Sequence, residues 1–330
     1  MYLMILLFVS LIALWLFGSK NASAATIRDN VAQLYTPIYD EFMLAEYKEN
    51  TQKHTLIYEA IDDKTKRYIV DDLGGLGFWE SADEGAGGGY EDPVLGYAKT
   101  YTQAKYWKKF QVSFEAVDQD EYALMKKEGE AAAMGRGARG KVEKDTAGTL
   151  SNGFSTAGPD GTYAFSSVHP LNANASTTYL NNLLSGAFSH DNLEAAETQI
   201  AKNFIGSDGI PIAVSEDPIL VYPPALRGVV HRVLSERALE RPGVTTRDIN
   251  RFAGKYTPVE WRYLAADMGG SDTAWFIIFP ELKFLKIIWN AKPSFTSWVD
   301  EDLEFYKFKG RMLYDQGYCN WRFGFGSTGL

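Results

Sequence analysis

Residues 117–145 constrain the fold of this chain most, because they have the composition of one long helix. Asp118 and Asp120 open the stretch, where acidic side chains favour the positive end of a helix dipole. Ala, Leu, Met, Lys and Glu, all good helix formers, fill most of its middle. The apolar residues recur at intervals of three to four residues or multiples of that, at Val117, Leu124, Ala131, Met134, Ala138 and Val142.

The same stretch is too rich in glycine to be stable as an isolated helix. Four of its 29 residues are Gly, and each costs about 1 kcal/mol relative to Ala in a helix interior. The stretch is also too polar to lie wholly inside a core. We therefore expect a long surface helix that packs lengthwise against a sheet, with the remaining elements attached at its two ends.

Length, charge and cysteine content exclude several classes of protein. The 330 residues allow two domains or one elaborated domain, and 45% hydrophobic residues are enough for a sizeable core. A net charge of −9 argues against a dedicated nucleic-acid-binding protein, although a protein can enclose nucleic acid without gripping it. The single cysteine, Cys319, excludes an internal disulfide and a cysteine-rich metal site.

The N-terminus has the pattern of a secretory signal. Residues 1–17 are almost continuously apolar, and Ala22-Ser23-Ala24 follows, so cleavage after Ala24 is one interpretation. No positively charged residue precedes the apolar run, and the run is short for a membrane span. The other interpretations are a start codon placed too far upstream and an apolar terminal helix buried in an assembly.

The next residues read as an arm followed by β-structure. Residues 25–50 are helix-prone and are interrupted by Pro37. Short β-prone runs follow at Thr55–Tyr58 and Tyr68–Val70.

A glycine-rich acidic loop and a basic strand come next. Residues 73–96 lack the G-K-[ST] signature, and their acidic side chains would repel phosphate, so we predict a projecting loop without phosphate binding. Residues 97–114 are β-prone and place lysines between aromatic residues. A nucleic-acid stacking surface is one interpretation. A hairpin whose basic return meets an acidic neighbour fits better. The lysines are Lys99, Lys105, Lys108 and Lys109.

The second half of the chain alternates between helical and β-prone segments after a G-P-D-G turn at Gly158–Gly161. The predicted elements are a helix over 186–204, strands over 209–214 and 218–222, a helix from Pro224, strands over 261–265 and 274–280, and two strands over 305–315 and 317–326 joined by a turn.

Few residues point to chemistry. Ser167 and His169 raise the hypothesis of a hydrolase, but the G-x-S-x-G elbow is absent and a structural histidine before Pro170 is the default. His231 has no companion ligand three or four residues away, so no zinc site is indicated. No acid/base pair, triad or metal cluster gathers, and we predict no catalytic, cofactor-binding or metal-binding residues.

Four stretches, in this order, carry a family resemblance. The chain resembles the major capsid proteins of tailed bacteriophages with the Hong Kong 97 phage fold, and especially the Mu-like major head subunit group. The resemblance covers residues 25–330. The stretches are Pro159–Leu171, Asp217–Arg227, Ala274–Pro280, and the end from Phe308 through Asp315–Ser327.

The resemblance implies an α+β fold with an N-terminal arm, an extended β-hairpin loop, a peripheral domain with a long spine helix, and an axial domain. Carried onto this chain, the parts are an apolar N-terminal segment (1–24), the arm (25–55), the extended loop lying over a neighbouring subunit (56–114), the peripheral domain (115–209) with its spine helix (117–145), the axial domain (210–305), and C-terminal strands returning to the peripheral domain (306–330).

The function implied by the resemblance is structural and not enzymatic. Such proteins self-assemble as pentamers and hexamers into an icosahedral shell in the virion, built in the host cytoplasm around double-stranded DNA that they do not read by sequence. Scaffold, portal and decoration proteins are further partners, and no cofactor is implied. Some members crosslink subunits through a Lys and an Asn. Lys99 or Lys105 and Asn320 are the candidates here, without a matching motif around them.

The departure from this family is the signal-like N-terminus, which has no place on a shell assembled in the cytoplasm. It favours the alternative of a secreted or periplasmic binding protein with a cleaved signal peptide. A hydrolase that uses Ser167 or His169 is the second alternative.

Overall fold

The computed structural model describes residues 43–45, 47–48, 52–79, 81, 90, 92–115, 129–174, 178–214, 217–235 and 250–330. The signal-like segment, most of the predicted arm, the centre of the acidic loop and the first half of the predicted long helix lie outside these residues. No helix in the described ranges is both long enough and apolar enough to cross a membrane.

Strands and helices alternate along the described chain, and short 3-10 turns connect many of them. The strands are β1 (Glu59–Asp62), β2 (Arg67–Leu73), β3 (Leu95–Thr102), β4 (Ala104–Ser113), β5 (His169–Pro170), β6 (Tyr179–Leu180), β7 (Leu183–Leu184), β8 (Ile219–Tyr222), β9 (Thr257–Glu260), β10 (Trp275–Ile278), β11 (Leu285–Asp300), β12 (Phe305–Tyr318) and β13 (Gly324–Ser327). The α-helices are α1 (Gly129–Ser151), α2 (His190–Asn203) and α3 (Arg227–Val233).

Two sheets organise these strands. One has the order β1-β11-β12-β4, with β1 parallel to β11. The other has the order β7-β13-β10-β8-β9. The pairs β2-β3 and β5-β6 form separate antiparallel ribbons. This mixture of helices with parallel and antiparallel strands is the predicted α+β class.

The chain divides into two compact units. The small unit comprises the described residues within 1–49, 107–136 and 294–310. The large unit comprises those within 50–106, 137–293 and 311–330. The elements α1, β4, β11 and β12 each contribute residues to both units.

The large unit has a core on each face of β10. Phe276 and Ile278 belong to a cluster that also holds the buried end of α1, and Trp275 and Ile277 belong to a second cluster with α2. Because both faces of the strand are covered, all four of its residues are apolar and buried. This explains why the sequence predicted a buried strand at 274–280, and that prediction is confirmed.

The long helix α1 is present, and it ends at Ser151 rather than at Asp145. The predicted end at Asp145 is therefore six residues too early. In the structure Val142, Ala147 and Leu150 are fully buried, and the Thr146 hydroxyl donates to the Val142 carbonyl at 2.7 Å. Tertiary burial therefore extends the helix beyond the point where local composition weakens.

Two other helices follow their predictions. Helix α2 begins at His190, where the Ser189 hydroxyl accepts from the Asn192 N–H, and its predicted inner residues Leu193, Ala196 and Ile200 are buried. The predicted helix from Pro224 starts as a 3-10 turn at Pro224–Leu226 and continues as α3.

Several strand predictions are wrong by position. Thr55–Tyr58 is not a strand, since Lys53–Leu56 forms a 3-10 turn and β1 starts at Glu59. Residues 209–214 make only an isolated bridge through Pro211. Residues 261–265 are mostly a 3-10 turn, and the strand lies just before them as β9 at the edge of the sheet, where Pro258 is tolerated.

The C-terminal region has a different division of strands from the predicted one. Strand β12 runs without a break from Phe305 to Tyr318, and β13 starts at Gly324 after a 3-10 turn. The long strand β11 was not predicted at all. Its apolar pattern is interrupted by Asn290, Lys292 and Pro293. In the structure two lysines of this strand form ion pairs with β1, Lys286 with Glu59 and Lys292 with Asp62.

Candidate functional site

The ribbon of β2 and β3 carries an unusual concentration of exposed apolar side chains. The two strands pair antiparallel, with Ile69 opposite Thr100, so the predicted hairpin is present. The rest of the predicted basic return, β4, is not part of it and forms an edge of the four-stranded sheet. Large apolar side chains on and beyond the ribbon are exposed to solvent: Ile69, Leu76, Phe78, Trp79 and Tyr90.

The exposure is largest towards the end of the ribbon. Trp79 is 99% exposed and Phe78 is 69% exposed. Burying such a side chain contributes about 1.5–3 kcal/mol, and monomeric proteins rarely leave several large ones together in water. These side chains have the properties of a contact surface for another molecule.

The ribbon is attached to its own subunit at several points along its length. The Tyr97 hydroxyl donates to the Asn172 carbonyl at 3.2 Å, and the Thr102 N–H donates to Asp315 Oδ2 at 2.7 Å. Tyr101 is fully buried, and at the loop end of the ribbon Gly75 lies close to the Asp208 carboxylate. The sequence analysis expected residues 56–114 to lie over a neighbour, whereas the described contacts anchor part of this segment intramolecularly and leave its apolar end exposed.

His169 lies in a buried hydrogen-bond network and not in a reaction centre. Its Nδ1 lies 2.6 Å from Asp160 Oδ2, and its Nε2 lies 3.0 Å from Asn182 Oδ1. The ring also stacks on Trp321 with centroids 4.3 Å apart.

The electrostatics of this network favour the ionised form of the Asp160 carboxyl group. Burial alone would raise the pKa of Asp160, but hydrogen bonds from His169 and Thr162 outweigh it and lower that pKa below its ordinary value. Ser167 is exposed while His169 is fully buried. The two predicted candidates therefore do not form a nucleophile and base, and His169 has the structural role that was the default.

Asn182 is the residue of this network that the sequence analysis missed. It is fully buried. Its Oδ1 accepts from the Ser166 N–H at 2.8 Å, and its Nδ2 donates to the carbonyls of Ala164 and Gly324. One side chain thus joins the loop before β5 to β13. The sequence placed it among several loop asparagines, and no local signal distinguished it from them.

The crosslink candidates differ in their surroundings within the subunit. Lys99 lines an open groove of about 580 Å³ beside Lys144 and Gln316, while Lys105 is exposed on β4. Asn320 is 8% exposed, and its Oδ1 accepts from the Arg322 N–H to cap a 3-10 turn. Its amide is engaged in a structural contact.

The described part of the chain contains no candidate metal-binding site. His231 is exposed on α3, and within the described ranges no group of three or more His, Cys, Asp or Glu side chains is placed to hold a metal ion.

Comparisons with known proteins agree with the architecture. The phage capsid protein family matches residues 96–324 of this chain. No curated protein sequence matches the chain.

Solved capsid structures share the fold at low sequence identity. The mature capsid of bacteriophage PhiM1 has a TM-score of 0.54 at 13% identity, over 82% of this chain and 84% of its own. The capsid of Ralstonia phage GP4 has a TM-score of 0.53 at 11% identity, over 79% and 81%. The capsid of cyanophage P-SCSP1u has a TM-score of 0.53 at 10% identity, over 82% and 85%.

The family match spans most of the chain, from β3 to β13, and the structural likeness confirms the Hong Kong 97 phage capsid fold that the resemblance implied. Nothing in these comparisons supports a secreted binding protein. The narrower likeness to the Mu-like group stays a prediction. This chain belongs to the phage capsid protein family and is a structural major capsid protein of a phage shell.

Proposed function

We propose that this chain assembles as pentamers and hexamers into an icosahedral shell that encloses double-stranded DNA, and that it does so in the host cytoplasm without catalysing a reaction. Scaffold, portal and decoration proteins are the expected further partners. The observation that carries the proposal is the exposed apolar end of the β2-β3 ribbon.

Its side chains need a partner that the subunit itself does not provide. Leu76, Phe78 and Trp79 are each more than half exposed, while Tyr97 and Thr102 of the same ribbon hydrogen-bond to other parts of the subunit and Tyr101 is fully buried. These attachments limit the directions in which the exposed apolar side chains point, which lowers the entropy lost on docking. Repeated subunits of a shell supply identical acceptor surfaces, and obligate interfaces of this kind bury about 2,000–5,000 Å².

The parts expected from the resemblance have the following proposed roles. Residues 56–114 contact a neighbouring subunit through their apolar end, and the arm adds further contact area. The assignment is an apolar segment of undetermined processing (1–24), the arm (25–55), the peripheral domain (115–209), the axial domain (210–305) and the returning strands (306–330).

The acidic balance of the chain fits the enclosed DNA. Affinity for phosphate rises steeply with each basic contact, and packaged DNA must be able to leave. A net charge of −9 keeps that affinity low. We expect isolated subunits to release duplex DNA at moderate salt in a filter-binding measurement, and tight retention would contradict this part of the proposal.

Assembly is tested by light scattering and negative-stain microscopy of the purified full chain. We expect capsomers or shells from the wild type. Replacing Phe78 and Trp79 by Ser should leave a folded subunit that assembles poorly. The matched control is Tyr179→Ser, which removes an aromatic side chain of 58% exposure from outside the ribbon. A wild-type chain that stays monomeric at high concentration would contradict the proposal.

A further inference from the structure

Among the described residues, the sheet of the small unit has one covered face and one open face. On the covered face Phe110, Phe295 and Phe308 pack with Met43 and Met134, and the rings of Phe110 and Phe308 stack 4.5 Å apart. Side chains alternate along a strand, so the neighbouring positions point to the other side of the sheet. We name this other side the Trp–Lys face: it consists of Trp107 and Lys109 on β4, Trp298 on β11, and Lys307 and Lys309 on β12.

Two tryptophans on this face hold one lysine between them. The Lys109 Nζ lies 4.8 Å from the ring centroid of Trp107 and 5.9 Å from that of Trp298. Trp107 is 59% exposed and Trp298 is 40% exposed. A cation over aromatic rings gains attraction when water is removed, so this arrangement becomes stronger when another surface covers it.

The face is positively charged on a negatively charged protein. Lys307 is neutralised by Asp300 at 2.5 Å, whereas the neighbours of Lys109 are aromatic rings, and Lys309 adds a second positive charge. The chain as a whole carries −9. A second copy of the chain is therefore an electrostatically favourable partner for this face.

The turn between β11 and β12 has the complementary composition. Its residues Glu301, Asp302, Leu303 and Glu304 are all exposed, and Leu303 is 60% exposed. Three carboxylates around one apolar side chain match a face of lysines around two tryptophans.

This turn cannot fold back onto the Trp–Lys face of its own subunit. The Leu303 N–H donates to Asp300 Oδ1 at 3.2 Å, and the Phe114 N–H donates to the Glu304 carbonyl at 2.9 Å. A short turn fixed at both ends stays at the ends of its strands. The same turn of a second copy is not held away from this face by these bonds.

We propose that the acidic turn 301–304 of one subunit docks on the Trp–Lys face of a second copy of this chain. The contact joins two different surfaces, so it is heterologous and closes into a ring when the rotation between subunits permits. The inference rests on the proposed assembly, and it assigns to that assembly a second interface that does not involve the β2-β3 ribbon.

The test is a charge exchange measured by light scattering at increasing subunit concentration. Lys109→Glu with Lys309→Glu should raise the concentration needed for assembly by about tenfold or more, because like charges then face each other. Adding Glu301→Lys and Asp302→Lys to the same chain should restore assembly to near the wild-type concentration. Lys202→Glu, an exposed lysine on α2, makes the same change of charge elsewhere and should have little effect.

The outcomes separate this inference from the proposed assembly. A wild-type chain that never assembles contradicts the assembly itself. If the wild type assembles and the Lys109→Glu, Lys309→Glu variant assembles at the same concentration, only the proposed docking is overturned. If the double variant assembles normally and loses residual binding of duplex DNA, the face binds nucleic acid and the inference is wrong. Restoration by the exchanged charges excludes misfolding as the cause of the loss.

Discussion

The tryptophans around β10 are buried, whereas those near the β2-β3 ribbon and on the Trp–Lys face are exposed to solvent. Trp261, Trp275 and Trp321 are at most 2% exposed, whereas Trp79, Trp107 and Trp298 are 99%, 59% and 40% exposed. Residue type alone does not distinguish the buried tryptophans from the exposed ones. The comparison shows that aromatic residues of the first group stabilise the subunit, while those of the second are available to another molecule.

The largest effect is expected from the buried group. Trp275→Ala should lower the free energy of unfolding by about 3–5 kcal/mol, because a large cavity opens beside Phe188 and the hydrogen bond from Nε1 to the Gly186 carbonyl is lost. Denaturant unfolding of the unassembled subunit measures this. A change below about 1 kcal/mol would mean that this sheet is not the stabilising core.

The next effect is expected from the polar network that closes the same core. Asn182→Ala should cost about 2–3 kcal/mol, because the Ser166 N–H and the Ala164 carbonyl lose a buried partner. Asn174→Ala, at an exposed loop asparagine, is the matched control and should change the unfolding midpoint little. Equal effects of the two variants would contradict the role assigned to Asn182.

The Asp160 carboxylate of that network makes the stability of the subunit depend on pH. The pKa of Asp160 is lowered in the folded state, so its stabilising contribution is complete above the ordinary value of 3.8 and is lost as pH falls through the folded pKa. Wild type should therefore exceed Asp160→Asn in stability at neutral pH, and the difference should shrink in acid. Unfolding curves between neutral pH and pH 3 measure this, and a constant difference would count against this role of Asp160.

The smallest effect on stability is expected from the exposed group. Trp79→Ala should change the free energy of unfolding of the subunit by less than about 0.5 kcal/mol, because its side chain has almost no protein surroundings to lose. The same denaturant measurement as for Trp275→Ala gives the direct comparison. A loss of several kcal/mol would show that Trp79 is part of the subunit core and would remove the distinction between the two groups.

Much of the architecture could be read from local pattern. The apolar run of β10, the amphipathic spacing of α2, the G-P-D-G turn and the order of four family-like stretches all survive in the structure. These signals are strong because they depend on neighbours within one turn or one strand. Strands β9 and β11 were misplaced or missed, because Pro258 and Pro293 interrupt their pattern and their partners lie far away in sequence.

The roles of individual residues in the candidate sites were harder to predict from the sequence. Lys109 was noticed as one of several lysines among aromatics, but its position between Trp107 and Trp298 depends on two distant strands coming together. Asn182 had no distinguishing signal at all. A residue that acts by joining segments is visible only when those segments are folded.

The sequence by itself determined the family, the long helix and the buried strand at the centre of the subunit, because each follows from residue types within a short window. The tertiary structure alone decided which aromatic residues are covered and which are open. A period of two tells which side chains share a face of a strand, but it does not tell whether that face is covered. That depends on pairings such as Glu59 with Lys286, which are 227 residues apart.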